Sequence, residues 1–558
     1  MAANDPVRRP FARATIRGLF PCLVLGAAGA CASGPAADAA PDPAPPAAAP
    51  AAEAPTAAFP FEEWTLSELQ DAMRTGRTTS REITAAYLAR IEALDRQGPE
   101  LRAMLDLNPD ALSSADSMDA ERRAGSERGP LHGIPVVLKD NIDTADRMTT
   151  TAGSLALEGS IAPRDAFIVE RLRQAGAVIL GKANLSEWAN FRSTASSSGW
   201  SGRGGQVRNP YALDRSPCGS SSGSAVAVAA NLTPVAVGTE TDGSIVCPAA
   251  ANGIVGIKPT IGLVSRSGII PIAHSQDIAG PMARTVADAA TLLGALAGED
   301  PQDGSTAGSR PEPDYTRFLD ARALQGTRIG VIRPRMTGYH TGTDRLFDDA
   351  LADLRAAGAT VVDSLELPHH GEYGDAEWTI LLYEFRHDLD RYLEGLGADA
   401  PVRSLADVIA FNERERDRSM PYFQQEILEL AQEKGGLDSA EYLDALEKAK
   451  LAGAGIDSIM RLHSLDALVA PTGSPAWTID LVVGDHFLGA SSQPAAVAGY
   501  PNITVPMGFL HGLPVGLSFF GGAWTEPKLI ALAYAYEQAT RHRRPPGLRP
   551  SATPFSPR

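Results

Sequence analysis

An apolar run that ends in a lysine, followed by two glycine-rich loops that carry serines, constrains this chain more than any other feature. The run reads Gly133-Ile134-Pro135-Val136-Val137-Leu138-Lys139-Asp140-Asn141. Counting the turn after Lys139 as the first loop, the second reads Ser216-Pro217-Cys218-Gly219-Ser220-Ser221-Ser222-Gly223-Ser224 and the third Gly238-Thr239-Glu240-Thr241-Asp242-Gly243-Ser244-Ile245-Val246. Val136 to Leu138 and Pro234 to Val237 have the unbroken apolar character of strands buried on both faces. Asp165 to Gly176 predicts a helix leading into a strand at Ala177 to Leu180, and Ser222 through Asn231 predicts another helix under the second loop. Strands alternating with helices predict the α/β class, a large open β-sheet with helices on both faces. The serine loops then lie at strand ends, where such sheets carry their sites.

A lysine and two hydroxyls can make a nucleophile without histidine. Serine attacks only when a base removes its proton, and lysine serves as that base only when it is neutral. Emerging from an apolar wall, Lys139 is desolvated, which lowers its pKa. Ser220 then relays the proton between Lys139 and the nucleophile Ser244. Backbone N–H groups of Thr241, Asp242, Gly243 and Ser244 are candidates for stabilising the developing oxyanion. Gly219 and Gly223 free the backbone that brings the relay hydroxyl close. A competing motif overlaps the second loop, since Gly219-Ser220-Ser221-Ser222-Gly223 fits the G-x-S-x-G elbow with Ser221 as nucleophile. That reading needs a downstream acid and histidine, and His463, His486, His511 and His542 carry no distinguishing context. Ser221 is therefore read as part of the relay loop.

At 558 residues the chain holds a large core, and its net charge of −17 argues against nucleic acid as a partner. The chemistry calls for no cofactor or metal, and the cysteines have no metal-ligand spacing. Residues 1–30 read as a signal peptide, with Arg8, Arg9, Arg13 and Arg17 preceding an apolar run from Gly18 to Ala30. The Arg8-Arg9 pair resembles a twin-arginine signal. Cys31 after Ala28-Gly29-Ala30 resembles a lipidated first residue, with cleavage by an ordinary signal peptidase or retention as a cytoplasmic tail as the alternatives. Export would put the chain in the periplasm, or on a membrane through a lipid anchor at Cys31. Residues 31–60 are an Ala/Pro-rich linker, suited to a semi-rigid tether. Cys218 and Cys247 flank the two serines and can pair if the loops touch. The preferred reading is two buried free thiols. Further helices are expected after the N-caps Thr65, with Glu68 completing a capping box, and Thr79, running through Leu94. Residues from about 304 to 457 read as mostly helical.

Together the three segments resemble the amidase signature family, whose catalytic group is Ser-cisSer-Lys, and the matching positions are Lys139, Ser220 and Ser244. The resemblance extends through Asn252 to Thr260, Gly280 to Val286, Asp466 to Thr472 and Gly512 to Leu517. It implies a single amidase domain over 61–547, with 548–558 as a C-terminal tail, and a cis peptide before Ser220. In the family the segment 304–457 shapes the substrate cleft. Within the family the chain resembles the bacterial peptide amidases, which remove the C-terminal amide from peptides, in Arg208 to Asp214, the Cys218 loop and Leu381 to Phe385. The implied reaction is hydrolysis of a primary carboxamide on a small or short peptide substrate, with release of ammonia and no obligate protein partner. The alternatives are amidase action on another small or cyclic amide, and the role of an A-type component in a tRNA-dependent amidotransferase. The chain departs from the family at Glu240, Asp242 and Val246. A carboxylate aimed into the oxyanion hole opposes the forming charge, so Asp242 is expected to turn outward. Val246, where many relatives carry arginine, is expected to leave an apolar pocket wall.

Overall fold

The computed structural model describes residues 59–397 and 400–553. The expected signal segment, Cys31, nearly all of the linker, and residues 554–558 lie outside the described residues. The strands are β1 (Met104–Leu107), β2 (Pro135–Lys139), β3 (Val178–Ala183), a two-residue pair β4 (Trp200–Ser201) and β5 (Gly205–Gln206), β6 (Val235–Glu240), β7 (Val255–Lys258) and β8 (Ile278–Ala283). They continue as β9 (Arg328–Ile332), β10 (Thr360–Leu365), β11 (Ala467–Pro471), β12 (Asn502–Leu510) and β13 (Leu513–Phe520). Eleven of them form one sheet in the order β1-β3-β2-β6-β8-β7-β12-β13-β11-β9-β10. The sheet is mixed. β3, β2 and β6 run parallel to one another, β9 runs parallel to β10 and β11, and the other neighbours are antiparallel.

The site follows from the register of the parallel trio. Val136 pairs with Val235 and Leu138 with Val237, so β2 and β6 reach the same end of the sheet together. Every residue of both strands is buried, as their apolar runs require. Lys139 is the last residue of β2, and Thr239 and Glu240 close β6. The helix Ser222–Ala229 joins the first serine loop to β6 and is wholly buried, consistent with its lack of polar residues after Ser224. Gly223 sits where that helix begins because nothing larger fits. A side-chain carbon there would lie 2.3 Å from the Ala103 carbonyl oxygen and 2.4 Å from that of Asn184. The requirement is space, since Gly223 is not among the residues of positive φ.

Local expectations hold at the first two helices, where Thr65 with Glu68 and Thr79 with Glu82 form capping boxes. The second α-helix ends at Ile91 and passes into one π-helical turn, Glu92–Arg96. The helix expected from Asp165 spans Phe167–Gln174. The segment 304–457 is not simply helical, because β9 and β10 extend the sheet by two strands within it. Its longest helices are Thr341–Ala356, Gly374–Gly395 and Ala440–His463, the last beginning within the segment. Near the C-terminus, Leu548 N–H donates to the Pro210 carbonyl and Leu213 N–H to that of Arg549, which ties the chain end to the loop before Cys218.

Candidate active site

Lys139 is fully buried, and its side-chain nitrogen meets neutral groups only: Ser220 Oγ at 2.7 Å, Thr239 Oγ1 at 2.8 Å and the Thr239 carbonyl at 3.2 Å. Burial pulls its pKa down to about 7, against the opposing pull of Asp277 and Glu240. A neutral amine has two N–H groups and one lone pair. With the N–H groups directed at the two Thr239 oxygens, the lone pair faces the Ser220 hydroxyl. Asn141 Nδ2 also donates to Thr239 Oγ1 at 3.0 Å and fixes that threonine.

The Gly219–Ser220 peptide is cis. Ser220 is fully buried, whereas Ser244 keeps 8% of its surface. Both line one cavity of about 570 Å³, within the usual size of a small-molecule site. The two loops are joined directly, since Ser221 N–H donates to the Ser244 carbonyl at 3.1 Å. Ser221 itself is closed off. Its Oγ donates to the Thr239 carbonyl at 3.0 Å and accepts from Thr239 N–H at 3.2 Å, with no surface exposed. That geometry removes the elbow reading and leaves Ser244 as the exposed hydroxyl.

Buried carboxylates shape the third loop. Glu240 Oε2 accepts the N–H groups of Ile245 (2.7 Å) and Val246 (3.0 Å), closing a tight turn around Gly243, whose φ is +76°. Thr241, Asp242, Gly243 and Ser244 all line the cavity. Asp277 accepts the Thr241 hydroxyl at 2.6 Å and the N–H groups of Ile272 and Ala273. Burial nevertheless raises its pKa to about 6. Asp277, Asn141 and Thr239 were not singled out from sequence. Each acts through a contact with another part of the chain, and none has a motif of its own beyond its place at a strand end.

Three expectations are corrected. Cys218 and Cys247 are not free thiols but form a disulfide across the two serine loops. The loops touch through Ser221 and Ser244, and that contact brings the cysteines together. Asp242 does not turn out to solvent. Its Oδ1 is buried, and its side chain lies against Glu377 and Ser492, with burial and the Glu377 carboxyl pushing its pKa well up. A protonated Asp242 carries no charge to oppose an oxyanion. Val246 does not form the pocket wall. It is buried in the short helix Val246–Ala251, and Cys247 faces the cavity instead. The remaining walls mix apolar side chains, among them Phe191, Leu381, Trp477 and Phe487, with polar ones, among them Asn190, Ser193, Thr194 and Asp485. Leu381 comes from the helix Gly374–Gly395, so the segment 304–457 contributes to the cleft.

Comparison with known proteins agrees with this geometry. The Amidase family profile matches residues 82–530. The native peptide amidase from Stenotrophomonas maltophilia superposes with a TM-score of 0.84 at 56% identity, covering 88% of this chain and 99% of that one. A probable amidase of Arabidopsis thaliana is 43% identical over 504 residues, 88% of this chain and 93% of that protein. A glutamyl-tRNA(Gln) amidotransferase component of Halorhodospira halophila is 39% identical over 486 residues, 85% of this chain and 97% of that protein.

Proposed function

Since this chain belongs to the amidase family and is an amide-hydrolysing enzyme, we propose that it removes the carboxamide from the C-terminus of peptides. Ser244 is the nucleophile, with Ser220 as the relay and Lys139 as the base. The observation that carries this reading is the buried Lys139, bound only to neutral groups, 2.7 Å from Ser220 in the cavity that Ser244 enters. Ser244 Oγ attacks the amide carbon while its proton passes to Ser220, whose own proton passes to neutral Lys139. The oxyanion is received by backbone N–H groups of the 241–244 loop. Collapse breaks the C–N bond as the proton returns through Ser220 to the departing nitrogen, giving ammonia and an acyl-enzyme. Water then attacks the ester by the same relay and releases the acid.

The cavity supports the substrate assignment, because its mixed walls suit a neutral acylamino or peptide body and, among the described residues, no arginine or lysine lines it to clamp a substrate carboxylate. The likeness to the S. maltophilia enzyme supports it as well. The test compares three substrates with ammonia detection: an amidated peptide, the same peptide extended by one residue, and a small dicarboxylic monoamide. The amidated peptide is turned over fastest. Equal or faster cleavage of the extended peptide would mean a protease, and preference for the monoamide would mean another branch of the family. Likeness to the amidotransferase component favours a second reading, ammonia delivery within a complex. Turnover of a peptide amide by the isolated chain excludes a strict requirement for that complex. Export is part of the proposal: a disulfide beside the site suits an oxidising compartment, as does the basic and apolar pattern of residues 8–30. Mass spectrometry of protein from its native host is expected to find a chain starting at or near Cys31. An intact Met1 in the cytoplasmic fraction would contradict export.

A further inference from the structure

The oxyanion loop is held from behind by a group of side chains that the proton relay does not use. Glu377, near the start of the helix Gly374–Gly395, is 6% exposed and accepts an amide N–H on each oxygen: Gln276 Nε2 at 3.0 Å and Gln493 Nε2 at 2.7 Å. Gln276 also lies 3.4 Å from the Thr241 carbonyl, in the peptide unit that carries the Asp242 N–H. Gln493 opens the short helix Gln493–Val497, and the preceding Ser492 stands against Gly243, its Oγ 3.0 Å from where a side-chain carbon would be. One carboxyl thus braces the loop on two sides. Asp242 completes the group. It lines the cavity, yet its Oδ1 is buried and has no hydrogen-bond donor.

We propose that Glu377 and Asp242 share a single proton and that Glu377 is a positioning residue, bracing the oxyanion loop through Gln276, Gln493 and the protonated Asp242. The proposal rests on the assignment of loop 241–244 to the oxyanion. A carboxylate oxygen buried without a donor is costly. Glu377 already receives two N–H groups, so it is the better holder of charge, and the proton belongs on Asp242. Two adjacent carboxyls in a buried site do not both ionise at neutral pH, and their titration belongs to the pair. Burial and Glu377 raise Asp242 well above the carboxylate range, and burial raises Glu377. The other groups facing the pair are Glu240 at the end of β6, Lys258 at the end of β7, and Tyr373 before the helix, whose buried hydroxyl has no hydrogen-bond partner. Glu240 opposes ionisation of Asp242, and a hydrogen bond from Ser492 and the charge of Lys258 favour it. Lys258 is itself pulled down to about 8 by burial, so it loses its charge as pH rises and helps less.

When the shared proton leaves, two like charges press apart behind the loop, and one of them stands beside the oxyanion. Activity therefore falls on the alkaline side, while Lys139 governs the acid side. The test is the pH dependence of kcat and KM on a peptide amide, with each variant plotted relative to its own maximum. Asp242→Asn loses the alkaline limb and keeps the acid limb. Glu377→Gln removes the like charge, moves the alkaline limb to lower pH, and lowers kcat about tenfold or more with little change in KM, because the loop acts in the transition state. Infrared spectra of wild type minus Asp242→Asn at neutral pH show one lost protonated-carboxyl component, the subtraction cancelling those of Asp143 and Glu537, which burial raises to about 7, a readout that serves even if a variant turns over too slowly to profile. An unchanged alkaline limb in Asp242→Asn, or a wild-type minus Asp242→Asn spectrum with no lost protonated-carboxyl component, overturns the proposal. Wild-type turnover of the peptide amide is measured first, so a wrong substrate is distinguished from a wrong dyad.

Discussion

Two lysines lie fully buried on neighbouring parallel strands, one step apart in register: Leu138 faces Lys182, and Lys139 faces Ala183. Each side-chain nitrogen has three oxygen partners. Lys182 meets the Ile142 carbonyl at 2.7 Å, Thr150 Oγ1 at 2.8 Å and the Thr149 carbonyl at 3.1 Å. Burial lowers both pKa values. What differs is the company. Lys182 has Asp140 and Asp143 as its leading opposing charges, whereas the carboxylates acting on Lys139, Asp277 and Glu240, are themselves occupied with Thr241 and with the Ile245 and Val246 N–H groups. Lys182 ties the loop after β2 to β3. Lys139 touches a hydroxyl that opens onto a cavity. Burial makes a lysine neutral, and the neighbouring hydroxyl makes it a base.

The strongest test of this contrast is removal of the reactive groups. Ser244→Ala and Lys139→Met each lower kcat about 10⁴-fold or more, and Ser220→Ala combined with Lys139→Met is far from additive, as for residues that act as a unit. Thermal unfolding of Lys139→Met, measured about one pH unit above the lysine's midpoint, shows no loss of stability against wild type, because folding of the wild type at that pH still releases a proton that the unfolded lysine keeps. Lys182→Met gives the opposite pattern. It leaves the Ile142 and Thr149 carbonyls and Thr150 Oγ1 without their buried donor and costs about 1–3 kcal/mol of stability in denaturant unfolding, the range for unsatisfied buried acceptors. Equal stability losses for the two lysines would erase the distinction.

The disulfide stands next. Its cysteines are separated by 29 residues, and replacing both with serine lowers unfolding stability by about 3 kcal/mol on a chain-entropy estimate. Unchanged stability on reduction would mean the loops are held by Ser221 and Glu240 alone. The smallest effect is in the pH profile. Lys139 must lose its proton to act, so the rate rises with pH through about 7, and each pH unit below that midpoint costs about tenfold. The linked effect on stability has the same sign. Unfolded lysine keeps its proton to about 10.4, so the unfolded state binds more protons between the two midpoints, and native stability rises with pH in this window. Lys139→Met abolishes that rise.

The proposed base, relay and nucleophile were legible because each sits where a recognisable apolar strand or helix start meets a polar loop, and the order of segments supplied the rest. What braces them was not. The neighbours Gln276 and Asp277, with Glu377 and Gln493, come from three separate stretches and meet the loop only in three dimensions. The Cys218–Cys247 bond depends on the distance between two loops, which sequence does not contain. Asp242 was expected to turn outward because a carboxylate aimed into the oxyanion hole opposes the forming charge. A partner that lets it remain protonated, Glu377, lies far along the chain on another helix. β10 escaped notice because, as an edge strand, it has no fully buried residue and so no apolar run, and β9 is short and set among charged stretches.

The most direct measurement is rapid-quench mass spectrometry of the enzyme during turnover of an amidated peptide, followed by mapping of the acylated residue. The account predicts an acyl ester on Ser244 that is absent in Ser244→Ala. An acyl group on Ser221 or Ser220, or full turnover by Ser244→Ala, would contradict it.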